Sequence, residues 1–285
     1  MTRIIAKTNH TKGIVNNPTE IFEHLDLFTT WDDWYYSPPF QKFYNLAIDY
    51  IIDKFMIRAS ETILDAGCGP GVHTIRWLQR GFNCISIDFS KTVLQEAEIR
   101  IKKAGFLKRA KLKQEDLTKL SFPDNQFPWI FCWGVLMHIP KPEKAIDELS
   151  RVLKPGGSIA ISTTNANSFD HFLMHRILYK IKKPKSLKTS GESSMGRYCI
   201  YDGPKGELFV QGLFMNEVKK RFERNGLQVT HHVGSEISEL YTLFSSTFIR
   251  RVFAYLNLSW FKYIRLPFGC VAQILIIHKP HKFGI

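Results

Sequence analysis

Paired cysteines and long apolar runs are both missing from this chain, and each absence removes a class of protein. The 5 cysteines (Cys68, Cys84, Cys132, Cys199, Cys270) are scattered over 285 residues with no C-x-x-C pair. That spacing argues against a disulfide framework, a zinc knuckle or a dithiol redox site, and it suits a reducing, cytoplasmic compartment. The opening MTRIIAKTNHTKGIVNNPTE has no apolar stretch of the kind that makes a secretory leader. No run reaches the roughly 18 apolar residues of a membrane span. The apolar segments near the C-terminus are interrupted by Arg250, Arg251, Lys262 and Arg265. Contact with a membrane surface stays compatible with the sequence; crossing one does not. Internal repeats are absent. Acidic residues are also in short supply, 26 against 39 Lys and Arg, for a net charge of +13. A basic surface of this size attracts RNA, acidic substrates or anionic lipid.

What is present is the material for a large core. Hydrophobic residues make up 44% and charged residues 23%, so the chain is not globally disordered, and its length suits two domains or one domain with insertions. Residues 62–165 alternate apolar runs with helical periodicity. TILDAGCG, FNCISIDFS, AKLKQEDL, WIFCWGVL and SIAISTTN read as strands. Between them, GVHTIRWLQRG reads as a helix stopped by Gly81. A second helix is capped by Ser90 and buries Val93, Leu94, Ala97 and Ile101. A third, PEKAIDELSRVL, is closed by Pro155-Gly156-Gly157. Strand–helix–strand units in series predict an α/β, doubly wound, mostly parallel sheet. After Asn165 the rhythm lapses. SFDHFLMHRILYK predicts a short helix, KIKKPKSLKTSGESSMGR a loop, LFMNEVKKRFERNG a helix, and LQVTHHVG and CVAQILIIHK the last strands.

The chemistry points to Asp65-Ala66-Gly67-Cys68-Gly69-Pro70-Gly71, where the first strand meets the first helix. Glycines let backbone approach a ligand closely, and open parallel sheets bind ligands at the carboxyl ends of their strands. The spacing misses the dinucleotide fingerprint, because Val72 stands where its third glycine belongs, and no Gly-Lys-Ser/Thr completes a phosphate loop. Taken singly, Asp88 and Asp116 also read as capping or turn carboxylates.

ILDAGCGPG, Asp88 at the end of strand two, the QEDL segment and WGVLMHIPKPEKAIDELSRVLKPGG occur in the order that resembles the class I S-adenosylmethionine-dependent methyltransferases, in their small-molecule, type 11/25-like branch. The resemblance covers residues 60–165, with weaker agreement over 207–285. It implies a Rossmann-like seven-stranded sheet whose last strand is antiparallel, an N-terminal helical lid, and insertions after strand five and before the last strand. It implies S-adenosyl-L-methionine as cofactor. Asp65, Gly67, Cys68, Gly69 and Gly71 would lie around its methionine part, with Cys68 as a packing residue. Asp88 would hold the ribose, Phe89, Asp116 and Leu117 the adenine, and Trp133 and Gly134 the methionine amine. Tyr35 or Tyr36 would donate to the carboxylate. His138, just past strand four, is the candidate general base, although methyl transfer to a good nucleophile needs only alignment. No metal is implied. The absence of an Asn-Pro-Pro-Tyr or Asp-Pro-Pro-Tyr tetrad after strand four disfavours methylation of nucleic-acid bases.

The organisation expected is a lid over residues 1–60 and a methyltransferase domain over 61–285. Within that domain lie a cofactor-binding core (61–165), a substrate cap (166–206) and an apolar-basic insertion (236–268). Trp31, Trp34, Tyr35, Tyr36 and Phe40 are expected either to close over the cofactor or to pack in the helical cap. His171 and His175 are spaced as a metal pair on one helix face, but with no third ligand a solvated face is the better reading. Leu240, Leu243, Phe244, Phe248, Val252 and Phe253 fall on one helical face flanked by arginines, as expected of an interfacial helix, a sheet-packing helix or a dimer contact. The function expected is methyl transfer to O, N or C of a small, possibly lipophilic acceptor by a monomer or homodimer. The alternatives are a methyltransferase acting on protein or tRNA, and a non-catalytic cofactor-binding scaffold.

Overall fold

The structure, a computed structural model, describes residues 20–25, 36–174, 184–203, 206–244 and 246–281. Its centre is a 7-stranded sheet built from β1 (Thr62–Ala66), β2 (Asn83–Asp88), β3 (Ala110–Gln114), β4 (Phe127–Trp133), β5 (Leu153–Thr164), β9 (Gln228–Glu236) and β10 (Ala272–His278). The order across it is β3-β2-β1-β4-β5-β10-β9, and β10 pairs antiparallel with both neighbours. This is the expected doubly wound sheet with its last strand reversed. The order turns back between β1 and β4, which opens a crevice at the carboxyl ends of those strands.

One face is covered by α1 (Pro38–Phe55), α2 (Val72–Gln79), α3 (Lys91–Lys103) and α7 (Thr247–Tyr263). α4 (Pro142–Val152) and α6 (Met215–Arg224) lie on the other. Placed by its sequence in an N-terminal extension, α1 proves to be a core helix: Phe43, Ala47, Ile48 and Ile51 are fully buried against Ile63, Trp77 and Phe131. Ser90 caps α3, its hydroxyl accepting from Val93 N–H at 3.1 Å, and Val93, Leu94, Ala97 and Ile101 are buried as the periodicity required. Trp31, Trp34 and Tyr35 lie outside the described residues.

Three expectations need correction. The helix α4 ends at Val152, and Pro155-Gly156-Gly157 runs inside β5. Lys279 makes that early stop possible, its Nζ donating to the carbonyls of Ser150 and Leu153. WIFCWGVL leaves the sheet at Trp133, because Gly134 turns into the left-handed region and a 3-10 turn follows over Leu136–His138. The basic stretch expected as loop contributes β6 (Leu187–Glu192) and the start of β7 (Gly196–Gly203), which with β8 (Gly206–Leu213) form a second sheet of 3 strands. LKTSGE has no apolar alternation because β6 is an edge strand with little of it buried.

α7 also departs from its expected face. Residues 240–243 form a 3-10 turn, so the helix begins at Thr247. It turns Ala254, Asn257 and Phe261 inward, while Phe248, Val252, Tyr255 and Leu256 stay exposed. Asn257 ties this helix to the end of β9: its Oδ1 accepts from Ile237 and Ser238 N–H at 3.0 and 3.3 Å, and its Nδ2 donates to Ser238 carbonyl at 3.0 Å. Replacing Asn257 by Ala strands those partly buried backbone groups. We expect urea unfolding to show a loss of roughly 2–4 kcal/mol. A change below about 0.5 kcal/mol would mean that the segment after β9 holds its own shape.

Candidate active site

A cavity of about 900 Å³ opens at the crevice between β1 and β4 and runs along the carboxyl ends of β4, β5 and β9 and the amino end of β10. At one end it is lined by Gly67, Cys68 and Gly69, by Asp88 and Phe89, and by Asp116, Leu117 and Thr118. Trp133, Gly134 and His138 stand in the middle. Elements distant in sequence thus meet on one wall, as the motif order required.

The loop after β1 is held by backbone bonds from Gly67 and Cys68 N–H to Ile87 carbonyl, at 2.8 and 2.9 Å. Gly67 has φ +78, and a Cβ there would sit 2.4 Å from Val135 Cγ2, so glycine is required by conformation and by contact alike. Gly71 serves differently. A Cβ on it would meet Ala97 at 3.3 Å, so it seats α2 against α3 and does not line the cavity.

Asp88 is the best-placed carboxylate. Its Oδ2 accepts from Gly69 N–H at 3.0 Å and its Oδ1 from Ser90 N–H at 3.1 Å, which aligns the group while each oxygen keeps a lone pair for a ligand. Burial pushes its pKa up, against the pull of those donors. Asp116 is both a turn carboxylate and a cavity residue: its Oδ1 accepts from Thr118 N–H and Oγ1, both at 2.8 Å.

Besides Gly71, two expected residues lie elsewhere. Asp65 is buried behind the loop, where its Oδ2 accepts from Thr74 Oγ1 at 2.5 Å and burial raises its pKa to about 7. Its position on β1 points it into the sheet–helix interface, not the crevice. Tyr36 is 48% exposed, and its hydroxyl accepts from Arg100 at 3.1 Å, outside the cavity lining. The Cys68 thiol is buried, with its pKa well above the ordinary value, which suits packing and not nucleophilic chemistry. His138 donates through Nδ1 to Phe209 carbonyl at 3.1 Å, and burial lowers its pKa, so the imidazole on this wall is neutral. Among the described residues no group of three or more His, Cys, Asp or Glu could hold a metal, and His175 lies outside them.

The sequence reading missed several cavity residues. Phe22, in a 3-10 turn over Glu20–Glu23, meets Phe89 edge-on at 6.0 Å and His138 at 5.0 Å. Glu23 anchors that turn by accepting from Ser90 Oγ at 2.8 Å. Tyr44, His73 and Trp133 form an aromatic group with centroids 4.9–6.0 Å apart. Leu208 and Val210 come from β8, and Thr163, Glu236 and Glu239 line the far end. Burial pushes the carboxyls of Glu236 and Glu239 well up from the ordinary range, helped by the Asp170 carboxylate on both and by Glu239 on Glu236.

That last shift has a measurable sign. A carboxyl whose folded pKa is raised keeps its proton in the folded chain after the unfolded chain has lost it, so its contribution to stability falls as pH rises from about 4 to neutrality. Glu236→Gln removes one such group. Its melting-temperature gain over the wild type should therefore grow between about pH 5 and about pH 8. An equal difference at both pH values would contradict the buried-carboxyl assignment.

Comparison with known proteins agrees with this geometry. A family model described as "Methyltransferase domain" matches residues 64–161. A ubiquinone biosynthesis O-methyltransferase from Azoarcus sp. (strain BH72) is 30% identical over 152 residues, covering 53% of this chain and 64% of the relative. The chain therefore spans less than two thirds of that relative's length. Among solved structures, an S-adenosylmethionine-dependent methyltransferase from Clostridium acetobutylicum ATCC 824 shares the fold at a TM-score of 0.59 and 14% identity, covering 90% of this chain and 98% of the other. The cyclase SpnF shares it at 0.55 and 16% identity, covering 83% and 81%.

Proposed function

We propose that the protein, whose residues 64–161 match a methyltransferase domain, is a class I S-adenosylmethionine-dependent enzyme transferring a methyl group from this cofactor to O, N or C of a small, lipophilic acceptor. The observation that carries the proposal is the meeting of Gly67, Gly69, Asp88 and Gly134 on one cavity wall. The residues fit the cofactor. Gly67 brings backbone against the cavity where a side chain would collide with Val135. Asp88, already aligned by Gly69 and Ser90, would accept from the two ribose hydroxyls. Asp116 and Leu117 would hold the adenine amino group and ring nitrogen, with Phe89 and Phe22 flanking the ring. The backbone at Trp133 and Gly134 would meet the methionine amine. Asp65 would act behind the loop as a support, given its bond to Thr74.

When bound, the cofactor supplies an electrophilic sulfonium methyl. The protein's part is alignment and exclusion of water. Tyr44, Trp133, Leu208 and Val210 give the acceptor side a largely apolar wall. Phe22 and β8 close over the middle of the cavity, so a lid-like role falls to residues 20–23 and to the second sheet. His138, neutral and fixed by Phe209, is the side chain in the middle of the wall that can take a proton from the acceptor.

For the fold's alternatives, a scaffold without turnover would bind cofactor and transfer nothing, and a macromolecular acceptor would have to enter a cavity roofed by Phe22 and β8. Both are favoured less by a cavity of about 900 Å³ with apolar walls, within the range for small ligands. Asp88→Ala should weaken binding of S-adenosylhomocysteine by about 2–4 kcal/mol, through loss of two charge-assisted hydrogen bonds, with cooperative unfolding retained. Unchanged affinity would remove Asp88 from the site.

α7 extends this reading to the acceptor's source. Phe248, Val252, Tyr255 and Leu256 form an exposed stripe at spacings of 4, 3 and 1 residues, with Arg251 beside them. Such a face suits shallow contact with an anionic lipid surface, from which a lipophilic acceptor would be drawn. No helix among the described residues is long and apolar enough to cross a membrane. Co-sedimentation with anionic vesicles at low salt should be strong for the wild type and lost in Phe248→Ser/Leu256→Ser. Failure of the wild type to sediment would sink the membrane contact without touching the methyl-transfer reading.

A further inference from the structure

The cavity wall formed by α1, α2 and the ends of β4 and β5 holds polar side-chain atoms to which the methyl-transfer reading gives no task. His73, in the first turn of α2, lines the cavity with its ring packed among Tyr44, Phe131 and Trp133, at centroid distances of 4.9, 5.5 and 5.3 Å. Its Nδ1 is buried without a partner, whereas Nε2 keeps accessible surface and is equally unpartnered among the described residues. Burial and the charge of Arg76 hold the imidazole neutral. Buried N–H groups are left stranded more rarely than buried acceptors, so the single hydrogen belongs on Nε2, the nitrogen open to the cavity. Trp133 packs on that imidazole, and its indole Nε1–H is likewise accessible and without a partner among the described residues. Ser162 is in register with Trp133 and lines the cavity with a hydroxyl in the same condition. Phe131 and Ala160, two residues earlier on their strands, pack with α1, so by alternation Trp133 and Ser162 project to one face. Behind the imidazole lies an unpaired positive charge. Arg76 is 4% exposed, its Nη1 donates to Val72 carbonyl at 2.8 Å, and its guanidinium lies 5.0 Å from the Tyr44 ring centre. Its Nε has no partner, and no carboxylate pairs with it among the described residues. A buried charge is costly unless an opposite one answers it.

We propose that His73 Nε2, Trp133 Nε1 and Ser162 Oγ form a subsite for the carboxylate of a bound small molecule, whose charge answers that of Arg76. This rests on the reading of the cavity as a methyl-transfer site and assigns it a further set of binding residues. The match is one of donors to acceptors. An indole N–H only donates, the imidazole donates through Nε2, and a serine hydroxyl can turn to donate, whereas a carboxylate only accepts. An ammonium finds no acceptor on Trp133 and is repelled by Arg76. A neutral hydroxyl can bond to the three atoms but leaves the guanidinium unanswered. The rest of the lining is acidic: Asp88 and Asp116 stand at one end of the cavity and Glu236 and Glu239 at the other. The charge that acts on His73 is instead that of Arg76, so this wall is cationic. Two molecules of the methyl-transfer reading can bring a carboxylate here. One is the cofactor, through its amino-acid end, for which Tyr36 supplies no donor from outside the cavity. The other is an aromatic acid serving as acceptor, seated against Tyr44 and Trp133. The recognition chemistry is the same for both.

Calorimetric titration of the full chain tests this in two arms. The first compares S-adenosylhomocysteine with its decarboxylated analogue. The second, on protein saturated with S-adenosylhomocysteine, compares benzoate, phenylacetate and cinnamate with the corresponding alcohols. In at least one arm the carboxylate should bind about tenfold or more tighter than the counterpart lacking it, and that arm identifies the source. His73→Phe and Trp133→Phe keep an aromatic ring at each position and remove one N–H. Each should take away most of the preference, and 5′-methylthioadenosine, which lacks the amino-acid end, should bind them as it binds the wild type. Should either Phe variant fail to fold, Ser162→Ala should reduce the same preference severalfold. No carboxylate preference in either arm of the wild type, or a preference that survives these substitutions, would overturn the subsite. Equal losses of S-adenosylhomocysteine and 5′-methylthioadenosine affinity in the variants would overturn it too, by reducing the two rings to packing. Should neither nucleoside bind the wild type, the methyl-transfer reading falls separately, and the acid–alcohol comparison on the ligand-free protein decides the subsite.

Discussion

The close approach of Gly67 to Val135 is the contact on which the site depends. It joins the turn after β1 to the turn after β4, the two strands between which the sheet order reverses. A side chain at Gly67 would collide with Val135 and displace one of these turns from the wall of the crevice that the reversal creates. The same turn places Gly69 N–H on Asp88, so the carboxylate at the end of β2 is aligned by the loop that follows β1. Loop, carboxylate and crevice are therefore one mechanical unit.

Charge is distributed against the trend of the whole molecule. A chain of net charge +13 lines its cavity with Asp88, Asp116, Glu236 and Glu239. A positive exterior around an acidic interior can draw an anionic surface to the outside while favouring a cationic ligand within. A sulfonium cofactor suits the near end of such a cavity, beside Asp88 and Asp116. The carboxyls of Glu236 and Glu239, raised by burial, are groups whose ionisation the folded chain opposes.

Where the sequence was legible, the reason was local. Strands β1, β2 and β4 are buried parallel strands and read as apolar runs, and Ser90 announced its helix through a capping hydroxyl. The glycine loop and Asp88 were legible because they stand next to strand ends. What stayed hidden depended on tertiary placement. Phe22 looks like any aromatic before a polar stretch until its turn docks on Ser90 through Glu23. β6 carries no apolar alternation because it lies at a sheet edge. Glu236 and Glu239 follow an ordinary strand, and only the pairing of β9 with the reversed β10 brings them to the cavity. Tyr36 and Asp65 show the converse error: the motif implied a ligand contact, and the fold gave each side chain a protein partner.

That SpnF, a cyclase, shares this architecture means the fold alone does not fix the reaction, so the cofactor is the quantity to measure. Titration of the wild-type protein with S-adenosylmethionine, with NADH as control, tests the central claim most directly. The account predicts saturable binding of S-adenosylmethionine in the micromolar range and none of NADH. Binding of NADH, or no binding of S-adenosylmethionine by protein shown to be folded, would contradict it.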